Sequence, residues 1–204
     1  SGGGGISYVL SGKRSYLEQT SQVLYDYVNE DGLPFNFTDL YGKISIGGRS
    51  GSKLNLFGFS FNDDVRYLAL SNLNWKNYGA GANFVVVPPS SSMLINGYFS
   101  SSTYEIRLKE EGLADRFSKV GGFNMGLDFK LIQGDDEIKY GVNVVGLNTS
   151  YQTFNALGVG VGNDDGEGEN DTELGVYLSY KISAGKLILE PSFRFQYYSS
   201  SGQA

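Results

Sequence analysis

A chain of 204 residues with no Cys and no His lacks a disulfide framework, a thiol nucleophile, Ser-His-Asp and Cys-His machinery and nearly every zinc ligand set. Its net charge of −6 argues against a nucleic-acid partner, which needs clustered Lys and Arg. No apolar run approaches the roughly 18–20 residues of a membrane helix, yet a mean hydropathy of −0.23 still permits crossing by strands, where only every second side chain is apolar.

The chain opens Ser1-Gly2-Gly3-Gly4-Gly5 without a basic-then-apolar leader, so an exported form is expected to be a processed or truncated product. A first strand is expected where Ile6, Tyr8 and Leu10 alternate with Ser7, Val9 and Ser11. A long connection, Ser15–Thr38, follows; within it residues 15–28 suit a short helix with Leu17, Val23 and Leu24 mostly on one side. Leu40, Ile44 and Ile46 then alternate with Tyr41, Lys43 and Ser45, and Arg49–Ser52 makes a short turn. Segment 53–63 changes parity midway, from Leu54 and Leu56 to Phe57, Phe59 and Phe61. That switch predicts a bulge, or a strand running beyond a bilayer. After Asp64–Asn74, Tyr78, Ala80, Ala82, Phe84 and Val86 share one face, and Pro88–Ser92 leads into segment 93–109, which also switches parity.

The clearest alternation lies in the second half. Phe123, Met125, Leu127, Phe129 and Leu131 interleave with Asn124, Gly126, Asp128 and Lys130 after the connection Glu110–Val120. Gln133–Asp136 turns the chain into Ile138, Tyr140, Val142 and Val144. Beyond Asn155–Thr172 come Leu174, Val176, Leu178, Tyr180 and Ile182, then the turn Ser183–Lys186 and Leu187, Leu189, Pro191, Phe193, Phe195 and Tyr197. Pro191 removes a ladder donor and is expected at an edge or bulge.

Short and long connections thus alternate, which a soluble sandwich does not require and an outer-membrane barrel does. The expectation is an all-β, antiparallel transmembrane β-barrel, or part of one, of about nine or ten strands, with short periplasmic turns and long extracellular loops, residues 1–204 forming one domain. On this reading Phe123, Leu127, Phe129, Val142, Leu178, Phe193 and Phe195 face lipid. Asp128, Lys130, Lys139, Lys181, Glu190 and Arg194 face the lumen, where charges can pair or hydrate. Large aromatics near strand ends, Tyr140, Phe154, Tyr180 and Tyr197, suit an interfacial girdle. Two alternatives stand beside it: a small self-contained outer-membrane barrel with a structural or adhesion role, and a soluble antiparallel barrel holding an apolar ligand inside.

Four strings carry a family resemblance. Ser11-Gly12-Lys13-Arg14-Ser15-Tyr16-Leu17-Glu18, Phe37-Thr38-Asp39-Leu40-Tyr41-Gly42-Lys43-Ile44-Ser45, Asn55-Leu56-Phe57-Gly58-Phe59-Ser60-Phe61-Asn62-Asp63 and Leu189-Glu190-Pro191-Ser192-Phe193-Arg194 follow in order. Together the series resembles the early barrel strands of TonB-dependent receptors that carry a carboxypeptidase-regulatory-like N-terminal extension. The resemblance implies energy-coupled import of a metal chelate, vitamin or glycan through the bacterial outer membrane, by a barrel of typically 22 strands around a plug. Its partners would be lipid, TonB and a small nutrient. The plug, the TonB box and the other half of the barrel are not seen in these residues, which resemble strands two to ten of such a protein.

No cofactor is expected. The acidic stretch Asn163–Asp171 offers oxygens to Ca²⁺ but lacks the spacing of a calcium loop, and reads as a solvated loop. Gly79-x-Gly81 precedes no helix and so makes no phosphate cradle. Asp128 and Glu190 are read as lumenal charge balance rather than an acid/base pair. Tyr16, Tyr25, Tyr27, Phe35 and Trp75 are the candidates for ligand contact at an extracellular mouth, with packing of the first long connection as the alternative role for its aromatics.

Overall fold

The computed structural model describes residues 4–26, 28, 32–48, 50–67, 71–153 and 164–201. Ten strands form one antiparallel sheet: β1 (Gly5–Arg14), β2 (Phe35–Gly47), β3 (Lys53–Tyr67), β4 (Ser71–Val86), β5 (Met93–Glu110), β6 (Arg116–Gln133), β7 (Asp136–Thr153), β8 (Asp164–Ala184), β9 (Leu187–Leu189) and β10 (Ser192–Ser201), with one helix, α1 (Leu17–Leu24). Each strand pairs with its sequence neighbour, and β9 and β10 both pair with β8. Among the described residues the sheet is open: β1 pairs only with β2, and β10 only with β8.

Directly opposed residues of an antiparallel pair share a face. Following the register across the sheet therefore shows what each face carries. Ile6, Ile46, Leu54, Phe84, Gly97, Leu127, Val142, Val176 and Phe195 form one continuous row from β1 to β10. The next row is Tyr8, Ile44, Leu56, Ala82, Phe99, Met125, Val144, Leu174 and Tyr197. Toward the turns lie Val86, Ile95, Phe129, Tyr140, Leu178 and Phe193. In the other direction the row through Leu10, Gly42, Ala80, Phe123 and Thr172 is mixed, and the one through Gly12, Ser60, Thr103, Asn148 and Asn170 is mostly polar. The apolar band thus runs along β6 from Leu131 to Phe123, a stretch matching the roughly 9–11 residues with which a tilted strand crosses a bilayer.

This band is uncovered. Among the described residues no hydrophobic side chain is buried, and Leu178 and Phe195 are 50% and 54% exposed. A soluble barrel with an apolar interior would hide such residues, and none is hidden here.

The connections refine the sequence reading. Four are tight and lie at one end: 48–52, 87–92, 134–135 and 185–186. At the other end the chain goes further, but much of the excursion is paired strand. β3 and β4 remain in register out to Tyr67 and Ser71, and β5 and β6 out to Leu108 and Arg116. Acidic residues Asp164–Asp171, expected in a loop, belong to β8, while Asn163 and Phe154 lie outside the described residues.

Two expectations are corrected. Neither β3 nor β5 carries a bulge: β3 pairs without interruption on both sides, as does β5. The switch arises because apolar side chains occupy both faces, as on β3, where Phe57, Phe59 and Phe61 lie on the face opposite Leu54 and Leu56. The register shift falls instead between Thr149 and Tyr151 on β7. Pro191 divides what the periodicity gives as one strand into β9 and β10, both kept in a single register on β8. Its carbonyl still accepts a hydrogen bond from the Tyr180 amide at 3.1 Å, and its missing N–H costs nothing at an edge.

Candidate functional site

The face opposite the apolar band is hydrogen-bonded and charged. The Ser45 hydroxyl donates to Asn55 Oδ1 and Asn55 Nδ2 donates to Asn83 Oδ1, each at 2.7 Å, so a polar chain links β2, β3 and β4. Further along, Tyr177 donates to Asp128 at 2.7 Å, Arg194 donates to Asn143 at 3.1 Å, and Gln196 donates to Glu173 at 2.7 Å. Near the tight turns Glu137 lies 2.5 Å from Lys130 and 2.9 Å from Lys139, with Glu190 3.9 Å from Lys139. The six charges expected on this face therefore share it. Five enter these contacts, and Lys181 lies opposite Glu137 in register. The seven residues expected to face lipid all have the other parity.

Glycines let aromatic rings lie flat on the polar face. A methyl group at Gly81 would sit 2.6 Å from the Phe57 ring, and one at Gly79 2.9 Å from the Phe59 ring. Gly79-x-Gly81 thus makes room for rings from the neighbouring strand. The Phe59 and Phe61 rings stack, 5.1 Å between centroids.

Above this shelf, toward the longer connections, a recess of about 470 Å³ is lined by Phe37, Asp39, Phe61, Asp63, Trp75, Asn77 and Tyr104. The register explains why these meet: Asp39, Phe61, Asn77 and Tyr104 form one row, and Phe37, Asp63, Trp75 and Ile106 the next. Trp75, expected from the sequence to contact ligand, is among them. The rest of the recess escaped sequence reasoning, because its residues come from four strands and only the register aligns them.

Among the described residues, the other expected ligand-contacting side chains do not line this recess. Phe35 lies on the same face, one row beyond Phe37. Helix α1 is held over the opposite face: Glu18 accepts a hydrogen bond from Asn36 at 3.0 Å and lies 3.7 Å from Arg66. Ser21 accepts from the Leu33 amide at 2.8 Å. Tyr16, which precedes α1, borders a second, polar recess with Asn62, Asp64, Arg66 and Asn72. Tyr25 follows the helix and is partly exposed; Tyr27 lies outside the described residues. Among the described residues, Tyr16 and Tyr25 therefore do not line the recess around Trp75.

No family model and no curated protein matches the sequence. Solved structures do match the fold. The outer membrane transporter YddB from Escherichia coli aligns over 98% of this chain and 32% of its own, with 12% identity and a TM-score of 0.56. The Serratia marcescens hemophore receptor HasR, solved with its hemophore HasA and heme, aligns over 96% and 29%, with 9% identity and a TM-score of 0.57. The copper transporter OprC aligns over 98% and 34%, with 12% identity and a TM-score of 0.60. The chain spans about a third of the length of each. Its ten strands have the fold of part of an outer-membrane β-barrel wall, as the sequence led one to expect.

Proposed function

We propose that residues 1–204 are a wall segment of a TonB-dependent importer barrel in the bacterial outer membrane, serving uptake of a small nutrient such as a metal chelate, vitamin or glycan. One observation carries this reading: rows of exposed apolar side chains cross the whole sheet, back to back with a face of paired charges and amides. In water this arrangement would leave the apolar face unburied, at about 25 cal/mol for each Å²; in lipid it is the stable one. The polar face then lines a wet lumen, and the tight turns are periplasmic. Copper and heme recognition by two structures of the same fold supports import over adhesion. A plug, TonB and the remaining strands would complete the transporter and give the open edges of β1 and β10 their pairing partners.

The test uses tryptophan as a depth and side reporter. In a Trp75→Phe background, Leu127→Trp and Asn124→Trp are compared in vesicles containing brominated lipid. Strong quenching at position 127 with weak quenching at 124 is expected. Equal quenching at both, or clean monodisperse behaviour without detergent, ends the proposal.

A further inference from the structure

The recess around Trp75 combines features that select a ligand by charge. Four of its lining side chains are aromatic and two are carboxylates, and none is basic. Among the described residues neither Asp39 nor Asp63 forms an ion pair or accepts a side-chain hydrogen bond, although most other charges on this face are engaged. Lys13 stands opposite Asp39 in register at the edge strand without closing an ion pair. Asp39 and Asp63 occupy diagonal positions on adjacent strands, about 7–8 Å apart at their backbones. Two like charges at that spacing raise the local negative potential, and Phe37, Phe61, Trp75 and Tyr104 supply aromatic rings along the same lining, the side chains that attract cations.

We propose that this recess binds an organic cation, a solute bearing an alkylated ammonium group. The cation would sit against the Trp75 ring, between the two carboxylates, with Asn77 free to hydrogen-bond the rest of the molecule. Binding would relieve the repulsion between Asp39 and Asp63, a gain that no neutral sugar provides. An anionic chelate would meet two carboxylates of the wrong sign. The inference rests on the importer reading and narrows its nutrient to a cationic one.

Trp75 emission reports on the recess directly, because the chain has no other Trp. Choline, glucose and citrate are titrated into the chain refolded in lipid discs. Choline alone is expected to give a saturable change. The double variant Asp39→Asn/Asp63→Asn is expected to bind choline about tenfold more weakly, whereas Asp128→Asn stays within about twofold. Trp75→Leu, read by calorimetry, provides a second route to the same weakening. Saturable binding of glucose or citrate at comparable affinity, no saturation by choline, or parent-like choline binding by a folded double variant overturns the inference. Position-dependent quenching by brominated lipid would survive any of these, so the importer reading and this one fail separately.

Discussion

Asn55 is 9% exposed, and both ends of its amide are engaged, one by Ser45 and one by Asn83. Truncating it leaves the Ser45 hydroxyl and the Asn83 carbonyl without partners, a loss of about 1–3 kcal/mol when the groups cannot be rehydrated. Asn55→Ala is therefore expected to lower stability within that range, toward its lower end if lumenal water reaches the gap; urea unfolding in lipid vesicles measures it. Gly81 presents the opposite problem, too little room. Gly81→Ala would push a methyl into the Phe57 ring and is expected to cost about 1–3 kcal/mol in the same assay. Neither role could be read from the sequence. A glycine beneath a ring, like an asparagine between two polar partners, is a property of strand register, and the residues concerned lie ten or more positions apart in the chain.

At the scale of a strand, alternation was the readable signal, and it was most readable where only one face is apolar. β6 is such a strand: Leu127 sits in the middle of the apolar rows, and Asn124 on the polar face. Leu127→Lys is expected to destabilise the inserted sheet by about 2–4 kcal/mol, as for a charge at the bilayer midplane, and Asn124→Lys by much less. Equal losses for the two variants would contradict the assignment of faces. β3 and β5 obscured the same code, since Phe57, Phe59 and Phe61 and then Tyr98 and Tyr104 place apolar mass on the polar face. What looked like an inserted residue is aromatic mass on the polar face, of which Phe61 and Tyr104 line the recess. Turn positions were legible for a simpler reason: Gly134 and Gly185 adopt positive φ of 63° within tight hairpins, a conformation that favours glycine.

For the whole molecule, the antiparallel order and the membrane-type fold followed from repeated alternation and tight turns, and both stand in the structure. The ligand recess did not follow, because four strands must be aligned before its members become neighbours. The open sheet makes a further expectation. Amides of β4–β7, paired on both sides, should exchange hydrogen slowest, and those on the free edges of β1 and β10 fastest. Hydrogen–deuterium exchange of the chain in lipid discs checks this; full protection of both edges would mean that they find partners.

The tight connections carry one more implication. Each returns the chain to the same end of the sheet after two strands, so up-and-down hairpins are the repeating tiles from which this wall is laid. Excising Lys53–Val86 would shorten the perimeter by one tile and bring Ile46 alongside Gly97, with greasy and wet sides still matched. Losing a lone strand would instead run the next one the wrong way, which makes circumference adjustable only in steps of two.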